Sequence, residues 1–227
     1  MINRCICILV LAYLNLGCVT THKPNSVNDP LETYNRTVYG FNTAIDKVIL
    51  RPVAKAYTFI VPSPVAQGVG NFFSNLSQIT TVANDILQAN ISYIVKDTGR
   101  FAINSTVGIL GIFDVASRAG LEKHTEDFGL TLAKWGVKDS PYFVIPLLGP
   151  STIRDAISLP IDYYALSAWP YIKPSGARSA LYTLQGIHQR RLLLATDKLV
   201  DEAFDPYVFV RSAYLQKRTH MMGTDTD

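Results

Sequence analysis

The sequence contains few cysteines, and none of them lies beyond residue 18. The three cysteines in the 227 residues are Cys5, Cys7 and Cys18. We expect the first two to lie in a segment that is removed, so one cysteine would remain and no disulfide could form within the mature chain. An exported domain of about 210 residues would then depend on its core alone, which is feasible at this length.

Charged residues are also scarce. They make up 17% of the chain, compared with ~25% in typical globular proteins, and the mean hydropathy is +0.15. Between Ala56 and Val95 the only charged residue is Asp85. Two explanations remain open at this point, namely a large buried core or partial immersion in lipid. The net charge of +3 is too small to indicate binding to nucleic acid.

Long unbroken apolar runs are absent after residue 17. The low-charge segment is interrupted by Pro62 and Pro64, and the segment 157–174 is divided by Pro160 and Pro170. Because a simple transmembrane helix needs ~20 apolar residues, none is predicted. The aromatic residues of the second segment nevertheless suit a membrane interface, and they are Tyr163, Tyr164, Trp169 and Tyr171.

The first 18 residues have the pattern of an export signal. Residues 1–4 carry one positive charge, residues 5–16 are nearly all apolar, and Gly17 precedes Cys18, as in signal peptides. A small residue followed by cysteine resembles the bacterial lipobox, although Asn15 occupies the position where leucine is usual. This resemblance implies that the cysteine becomes the lipidated first residue of the mature chain, and a plain cleaved signal peptide is the alternative.

We therefore expect a lipid-anchored protein. Residues 1–17 would form the signal peptide, and residues 18–28 would form the lipidated N terminus and a flexible tether. Cys18 would carry a diacylglyceryl group and an N-acyl chain, and several acyl chains anchor a protein stably. Val19 follows the cysteine, at the position where, by resemblance to the sorting rules of enteric bacteria, an aspartate would favour the inner membrane. The outer membrane is accordingly the expected location.

The folded domain is predicted to begin with a helix at Asp29. Asp29 can cap this helix, Pro30 suits its first position, and Glu32 completes a capping box. Asn35 and Asn42 lie beside an apolar face. That face is formed by residues at helical spacing, namely Leu31, Tyr34, Val38, Phe41 and Ile45.

A second amphipathic helix is predicted from about Ser77 to Lys96. Its apolar residues, including Ile86 and Leu87, share one side of a helical wheel, and its polar residues share the other. Asn90 falls in the middle of the apolar side. A buried asparagine needs hydrogen-bond partners, so Asn90 either makes a satisfied core hydrogen bond or lines a polar channel.

The rest of the chain is predicted to be mostly helical. Residues 134–155 alternate aromatics, proline and glycine, which indicates an ordered loop with short helical turns. A helical stretch follows at residues 178–203, and Asp205 can cap the last helix. The sequence thus predicts a single all-α domain over residues 29–218, with a disordered tail at residues 219–227.

Motifs of common enzymes and metal sites are absent from the sequence. There is no G-x-S-x-G elbow, no H-E-x-x-H, no Walker loop and no pair of C-x-x-C motifs. The segment with Gly68 and Gly70 lacks the third glycine of a dinucleotide-binding turn. We therefore expect these two glycines to form a turn before a helix. The protein is therefore not predicted to be an enzyme, and no catalytic residue is assigned.

Two groups of charged residues could bind a ligand, but each has a simpler explanation. His124 lies near Glu122, Glu126 and Asp127, which favours a solvated surface cluster over a metal or catalytic site. His188 precedes two arginines, which could meet lipid phosphates or simply form an ordinary helix surface. No metal is predicted, and the only expected cofactor-like group is the covalent lipid at Cys18.

Several segments together resemble the MlaA family, also called VacJ, of outer-membrane lipoproteins. The resemblance covers nearly all of the mature chain, with the segments in the same order. The segments are DPLETYNRTVYGFN (29–42), RPV (51–53), RFAINSTVGILGIFDVAS (100–117), EDFGLTLAKWGV with PYFVIPLLGPSTIRD (126–155), and DPYVFVRSAYLQKR (205–218).

This resemblance implies an all-helical ring in the inner, periplasmic leaflet of the outer membrane, with a central amphipathic channel. Family members remove mislocalised phospholipids from the outer leaflet, pass them to a periplasmic lipid-carrier protein and bind trimeric outer-membrane porins. By resemblance, Asn35, Phe41 and Asn42 lie in the helix that borders the channel. Asn90 is a further candidate for channel lining or lipid contact.

Two other functions remain as alternatives. One is a porin-associated structural lipoprotein without transport activity, which would co-purify with a porin but carry no phospholipid. The other is a lipid hydrolase, which would need a reactive serine or histidine that the sequence does not display.

Overall fold

The computed structural model describes residues 29–223. The predicted signal peptide, Cys18 and the tether lie outside the described residues. The helices are α1 (Glu32–Ile45), α2 (Arg51–Ile60), α3 (Ser63–Leu87), α4 (Ile91–Thr106), α5 (Val115–Arg118), α6 (Phe128–Lys134), α7 (Ile153–Tyr164), α8 (Ser175–Leu193), α9 (Asp197–Asp201) and α10 (Pro206–Gly223). A π-helical turn, Asp46–Leu50, joins α1 to α2, and short 3-10 turns lie at Trp169–Tyr171 and Leu194–Thr196.

One hairpin interrupts the helical architecture. Strands β1 (Tyr142–Ile145) and β2 (Gly149–Thr152) pair antiparallel, with Tyr142 opposite Thr152 and Ile145 opposite Gly149. The sequence predicted an ordered loop with helical turns here, and that detail is wrong. The predicted all-helical class is confirmed apart from this small sheet.

Packing between the elements forms a closed circuit. Helix α1 continues through the π-helical turn into α2, α2 packs on α8, and α8 packs on α3. Helix α3 contacts α6, α6 packs on α7, and α7 contacts β1, which returns to α1. This arrangement agrees with the ring predicted from the family resemblance.

A small apolar core lies where the hairpin meets the last helix. Tyr142 and Val144 point to the same side of β1, because successive strand residues alternate, and both pack with Tyr207 of α10. Partly buried residues surround this cluster, namely Val38, Tyr39, Val208, Tyr214 and Leu215. The core therefore joins the first helix, the hairpin and the last helix.

The helix starts follow the sequence signals only in part. Asp205 caps α10 as predicted, because its carboxylate accepts a hydrogen bond from the Val208 amide at 3.2 Å. Asp29 does not cap α1, since its side chain pairs with Arg211 at 2.9 Å and also accepts from Asn35. Long-range pairing of this carboxylate replaces the predicted capping box.

The last helix is longer than the sequence indicated. It continues to Gly223, so the tail predicted to be disordered from residue 219 is helical over its first five residues. Arg218 explains why this end of the chain is ordered. Its buried guanidinium donates to Asp127, which caps α6, and to Asp155 in the first turn of α7.

The predicted helix from Ser77 to Lys96 is in fact two helices. Helix α3 ends at Leu87, and Ala89 adopts a left-handed backbone conformation with φ of 55°. Asn90 then caps α4 by accepting from the Tyr93 amide at 3.4 Å. Asparagine is favoured at this position because its side chain competes with regular helix bonding.

Candidate functional site

The protein buries polar side chains and exposes apolar ones to an unusual degree. Within residues 29–223, more polar and charged side chains than apolar ones are buried. Large apolar side chains are widely exposed, and Phe59 is 93% accessible. Soluble proteins rarely expose large contiguous apolar surfaces, so this distribution suits contact with lipid.

The orientation of α3 illustrates this inverted distribution, in which polar side chains are buried and apolar side chains are exposed. Its polar residues Thr81, Asn84 and Asp85 are buried, whereas Ile86 and Leu87 are exposed. The helical period correctly separated the two faces, and the structure shows that the polar face points inward. The helices of residues 29–223 are all too short or too polar to cross a bilayer.

An open apolar cavity lies between α3, the segment after α4, and α8. Its volume is about 490 Å³, and its lining is almost entirely apolar. Val65 and Phe113 are partly exposed at the cavity. The other lining residues are Pro64, Gly68, Val69, Phe72, Phe73, Ile112, Leu181 and Leu184.

Glycines on α3 allow the cavity walls to approach each other. A Cβ at Gly68 would lie 3.1 Å from the Ile112 side chain, and one at Gly70 would lie 2.6 Å from His188 Nε2. The predicted turn at Gly68 and Gly70 is therefore wrong, because both glycines lie inside α3. Their role is close packing rather than chain reversal.

A small polar pocket lies next along the same helix. Asn71 donates to the Ile112 carbonyl at 3.0 Å, so it joins the polar pocket to the segment that walls the cavity. The remaining lining residues of the polar pocket are Ser74, Asn75, Gln78, Arg100, Asn104 and Asp114. The volume of this polar pocket is about 10 Å³, room for about one water molecule, so α3 presents an apolar cavity beside a group of polar side chains.

An ion pair fixes the charge in the polar pocket. Arg100 donates to Asp114 at 2.7 Å, and Arg100 is buried. Burial opposes ionisation of Asp114, but hydrogen bonds from Ser117, Arg100 and Asn104 outweigh it and lower the pKa of Asp114 to about 2. The carboxylate therefore stays charged at neutral pH and holds Arg100 in place.

Asn35 and Asn42 hold the hairpin. The fully buried Asn35 accepts from the Val144 amide at 2.9 Å and donates to the Tyr142 carbonyl at 3.0 Å. Two helical turns later, Asn42 donates to the Ile145 carbonyl and accepts from the Leu147 amide. Asn35 has no accessible surface with which to line an open channel, so its observed role is anchoring β1.

The other predicted site residues have different surroundings. Phe41 is 53% accessible on α1, which leaves lipid contact at Phe41 and at Asn42 as predictions. Asn90 is a helix cap rather than the centre of an apolar face, and the prediction of lipid contact there has lost its basis. Cys18 lies in the part of the chain that the structure does not describe.

Each charged group considered from the sequence contains a buried member. Glu126 is 3% accessible, and His124 lies against Asp97 and Asp85, which the sequence had not joined to it. His188 is buried where α8 meets α3, and burial, followed by the charge of Arg191, lowers the pKa of His188. The expectation of a solvated surface is therefore wrong for Glu126 and His188, whereas Glu122 is exposed as expected.

Arg190 is also committed to internal partners. Its guanidinium pairs with Asp46 at 2.5 Å and with Asp197 at 2.8 Å, which fastens α8 to the turn after α1. These contacts use the geometry that could otherwise bind a lipid phosphate.

Sequence reasoning missed the residues of the cavity. Phe72 and Phe73 were visible only as part of a low-charge segment, and nothing in the sequence pairs them with Ile112 and Phe113 across about 40 intervening residues. A local signal did exist in the glycines at 68 and 70, since small residues on a helix permit close approach of another element.

The exposed apolar surface and the ring of contacting helices are typical of a membrane-associated helical protein. A model of the MlaA lipoprotein family matches residues 27–221. The chain belongs to the MlaA lipoprotein family.

Named relatives and a solved structure agree with this membership. The chain is 37% identical over 210 residues to the intermembrane phospholipid transport system lipoprotein MlaA of Escherichia coli K12, covering 90% of this chain and 82% of that protein. It is 31% identical over 217 residues to the Haemophilus influenzae protein of the same name, covering 92% and 86% of the two chains.

The fold is also that of a solved structure. This structure was reported as the structural basis for maintenance of bacterial outer membrane lipid asymmetry. It superposes with a TM-score of 0.76 at 34% identity and covers 87% of this chain and 100% of its own. A protein of Rickettsia typhi is 37% identical over 193 residues, covering 85% of this chain and 77% of that protein.

Proposed function

We propose that this chain maintains outer-membrane lipid asymmetry by removing mislocalised phospholipids from the outer leaflet and passing them to a periplasmic carrier. The observation that carries the proposal is the apolar cavity beside a group of polar side chains on one helix, α3. A phospholipid needs both environments at once, because its acyl chains avoid water and its headgroup requires polar partners. The names of the curated relatives support the same function.

The cavity suits the apolar part of such a ligand. Its volume of about 490 Å³ falls within the ~300–1,000 Å³ range of sites for drug-sized molecules. A phospholipid is larger than such molecules, so the cavity would hold only part of it. The remaining acyl chain would lie along the exposed apolar surface. Asn71 and Ser74 stand at the polar side, where a headgroup would find hydrogen-bond partners.

The proposed location is the inner leaflet of the outer membrane, with an anchor at Cys18. Amphipathic helices without full spans can lie in one leaflet with their apolar faces ~5–10 Å deep. The exposed apolar residues of α2, including Phe59 and Ile60, support this placement. A trimeric porin is the proposed membrane partner, since the apolar exterior also suits contact with another membrane protein.

The mechanism requires no covalent chemistry. We propose that the chain is not an enzyme and that a covalent lipid is attached at Cys18. Transfer would follow from differences in free energy between the leaflet, the cavity and the carrier.

A deletion strain tests the proposed function. We expect phospholipid to accumulate on the cell surface without the protein and to return to normal when the wild-type gene is restored. Unchanged surface phospholipid in a clean deletion, together with co-purification of a porin but no bound phospholipid, would favour the structural lipoprotein instead.

A further inference from the structure

A second polar centre lies away from the cavity, where two helices meet the segment that precedes α6. Asp85 comes from α3, Asp97 from α4, and His124 and Glu126 from residues 119–127. The side chains of Asp85 and Asp97 are each 1% accessible, and that of His124 is 17% accessible. Three carboxyl groups therefore surround one imidazole in a nearly closed space.

The donor atoms of three of these residues converge. His124 Nδ1 lies 2.9 Å from Asp97 Oδ2 and 3.7 Å from Asp85 Oδ1, and one donor atom from each residue lies within 4.8 Å of the others. Atoms bound to one metal ion at 2.0–2.2 Å are roughly 3.0–3.5 Å apart at octahedral or tetrahedral angles. The two distances from His124 Nδ1, 2.9 Å and 3.7 Å, lie close to this range.

Asp85 lacks the partners that a buried carboxylate requires. Among the residues that the structure describes, neither of its carboxyl oxygens has a hydrogen-bond partner. Asp97 differs, because Gln78 donates to its Oδ1 at 2.7 Å and leaves Oδ2 facing His124. A buried carboxylate without a hydrogen-bond donor is costly. The His124 imidazole lies 3.7 Å from Asp85 Oδ1, which is too far for a hydrogen bond, and Asp85 faces the same space as the other donor atoms.

Neighbouring groups hold the imidazole in the orientation that a ligand needs. His124 Nε2 lies 3.4 Å from Glu126 Oε1, and Gln88 donates to Glu126 Oε2 at 2.8 Å. The Tyr93 ring stacks on the imidazole at 3.9 Å between centroids. Histidine ligands usually donate their second ring N–H to a carboxylate, which is the arrangement that Glu126 provides while Nδ1 faces the two aspartates.

We propose that Asp85, Asp97 and His124 bind one divalent transition-metal cation, with Glu126 as the residue that positions His124. Zn²⁺ suits this mixture of one imidazole and two carboxylates, whereas Ca²⁺ and Mg²⁺ prefer oxygen ligands alone. Two carboxylates balance the charge of the ion. Binding displaces any proton that Nδ1 carries, as ligand imidazoles must be neutral.

The position of the site indicates a structural role for the ion. The ion would join α3, α4 and the segment that leads into α6, and hydrogen bonds from Gln78, Gln88 and the Glu126 amide also link these three parts. The partly accessible His124 edge provides the approach for the ion and for a water ligand. This proposal is independent of lipid transport, and it replaces the expectation from the sequence that no metal binds.

Metal content of the full-length protein, purified in detergent without chelators or metal-affinity resin, tests the proposal. We expect about one Zn²⁺ per chain by elemental mass spectrometry, and the same stoichiometry when stripped protein is titrated with Zn²⁺. Asp85→Asn should abolish this binding, and Glu126→Gln should weaken it by about 10–100-fold. Glu122→Gln, at an exposed position in the same segment, should bind as the wild type does.

Two results would overturn the proposal. One is a wild-type protein that neither contains nor binds Zn²⁺ or Mn²⁺ stoichiometrically. The other is Zn²⁺ binding that Asp85→Asn leaves unchanged. If Asp85→Asn does not fold, the wild-type stoichiometry and the rise in its unfolding temperature with Zn²⁺ decide the question, because an ion bound only to the native state must stabilise that state.

Discussion

Asp29 and Arg211 form a buried ion pair with 2.9 Å between Oδ2 and the guanidinium. Asp29 stands where the described part of the chain begins, and Arg211 lies in the last helix. Tyr207 also donates to Asp29. One carboxylate therefore joins the two ends of the fold beside its small apolar core.

We expect Asp29→Asn to destabilise the protein by about 3 kcal/mol, because removing one partner of a buried ion pair leaves the other charge uncompensated. Unfolding in denaturant, followed by circular dichroism in detergent, measures the loss. Glu32→Gln is the control, since Glu32 and Arg36 form an exposed pair at 2.7 Å and its loss should cost no more than ~0.5 kcal/mol. Equal stability of the two variants would contradict this account.

The hydrogen bonds of Asn42 lead to a prediction about hydrogen exchange in the turn between β1 and β2. In Asn42→Ala the Leu147 amide loses its acceptor at 2.8 Å, and one lost hydrogen bond is worth about 1 kcal/mol. Hydrogen exchange at residues 145–148 should therefore accelerate roughly fivefold. Asn71→Ala, which removes a comparable bond to the Ile112 carbonyl, should leave exchange in the hairpin as in the wild type. The account is wrong if the hairpin exchanges equally in both variants.

The stability of the fold should fall as the pH rises through the range in which Asp162 ionises. Burial, followed by the charge of Asp127, raises the pKa of Asp162 from 3.8 to about 6, against hydrogen bonds from the Phe128 amide and Asn84 and the charge of Arg218. The folded state thus binds this proton more tightly than the unfolded state, so its contribution is complete below pH 3.8 and is lost as the pH passes 6.

Asp162→Asn removes this ionisation. We expect the variant to lose about 1–3 kcal/mol of pH-dependent change between pH 4 and pH 6, measured as the free energy of unfolding at each pH. Asp139→Asn, at an exposed position, serves as the control and should retain the wild-type slope. A wild-type slope in Asp162→Asn would show that another group causes the dependence.

Local sequence signals predicted much of the helical fold. The period of apolar residues located α1 and predicted one helix over residues 77–96, which covers the end of α3 and the start of α4, and Asp205 marked the start of α10. The same signals could not predict the turn at Ala89, because a left-handed conformation at a non-glycine residue is maintained by its surroundings rather than by its own preference.

The orientation of the faces could not be read from periodicity. A helical period separates polar from apolar residues, but the surrounding solvent decides which set faces inward. Thr81 and Ile86 show this, since the polar residue is buried and the apolar one is exposed. The cluster around His124 was missed for a different reason, because Asp85 and Asp97 are distant in sequence and only the packing of α3 on α4 brings them to the imidazole.

The central claim is that the cavity on α3 holds part of a phospholipid, and native mass spectrometry of the detergent-extracted protein tests it most directly. Val65→Trp places an indole at the open side of the cavity, while Val95→Trp makes the same change at an exposed position outside the cavity lining. We predict bound phospholipid in the wild type and in Val95→Trp, and a several-fold lower occupancy in Val65→Trp. Equal occupancy in all three proteins, or no phospholipid in the wild type, would contradict the account.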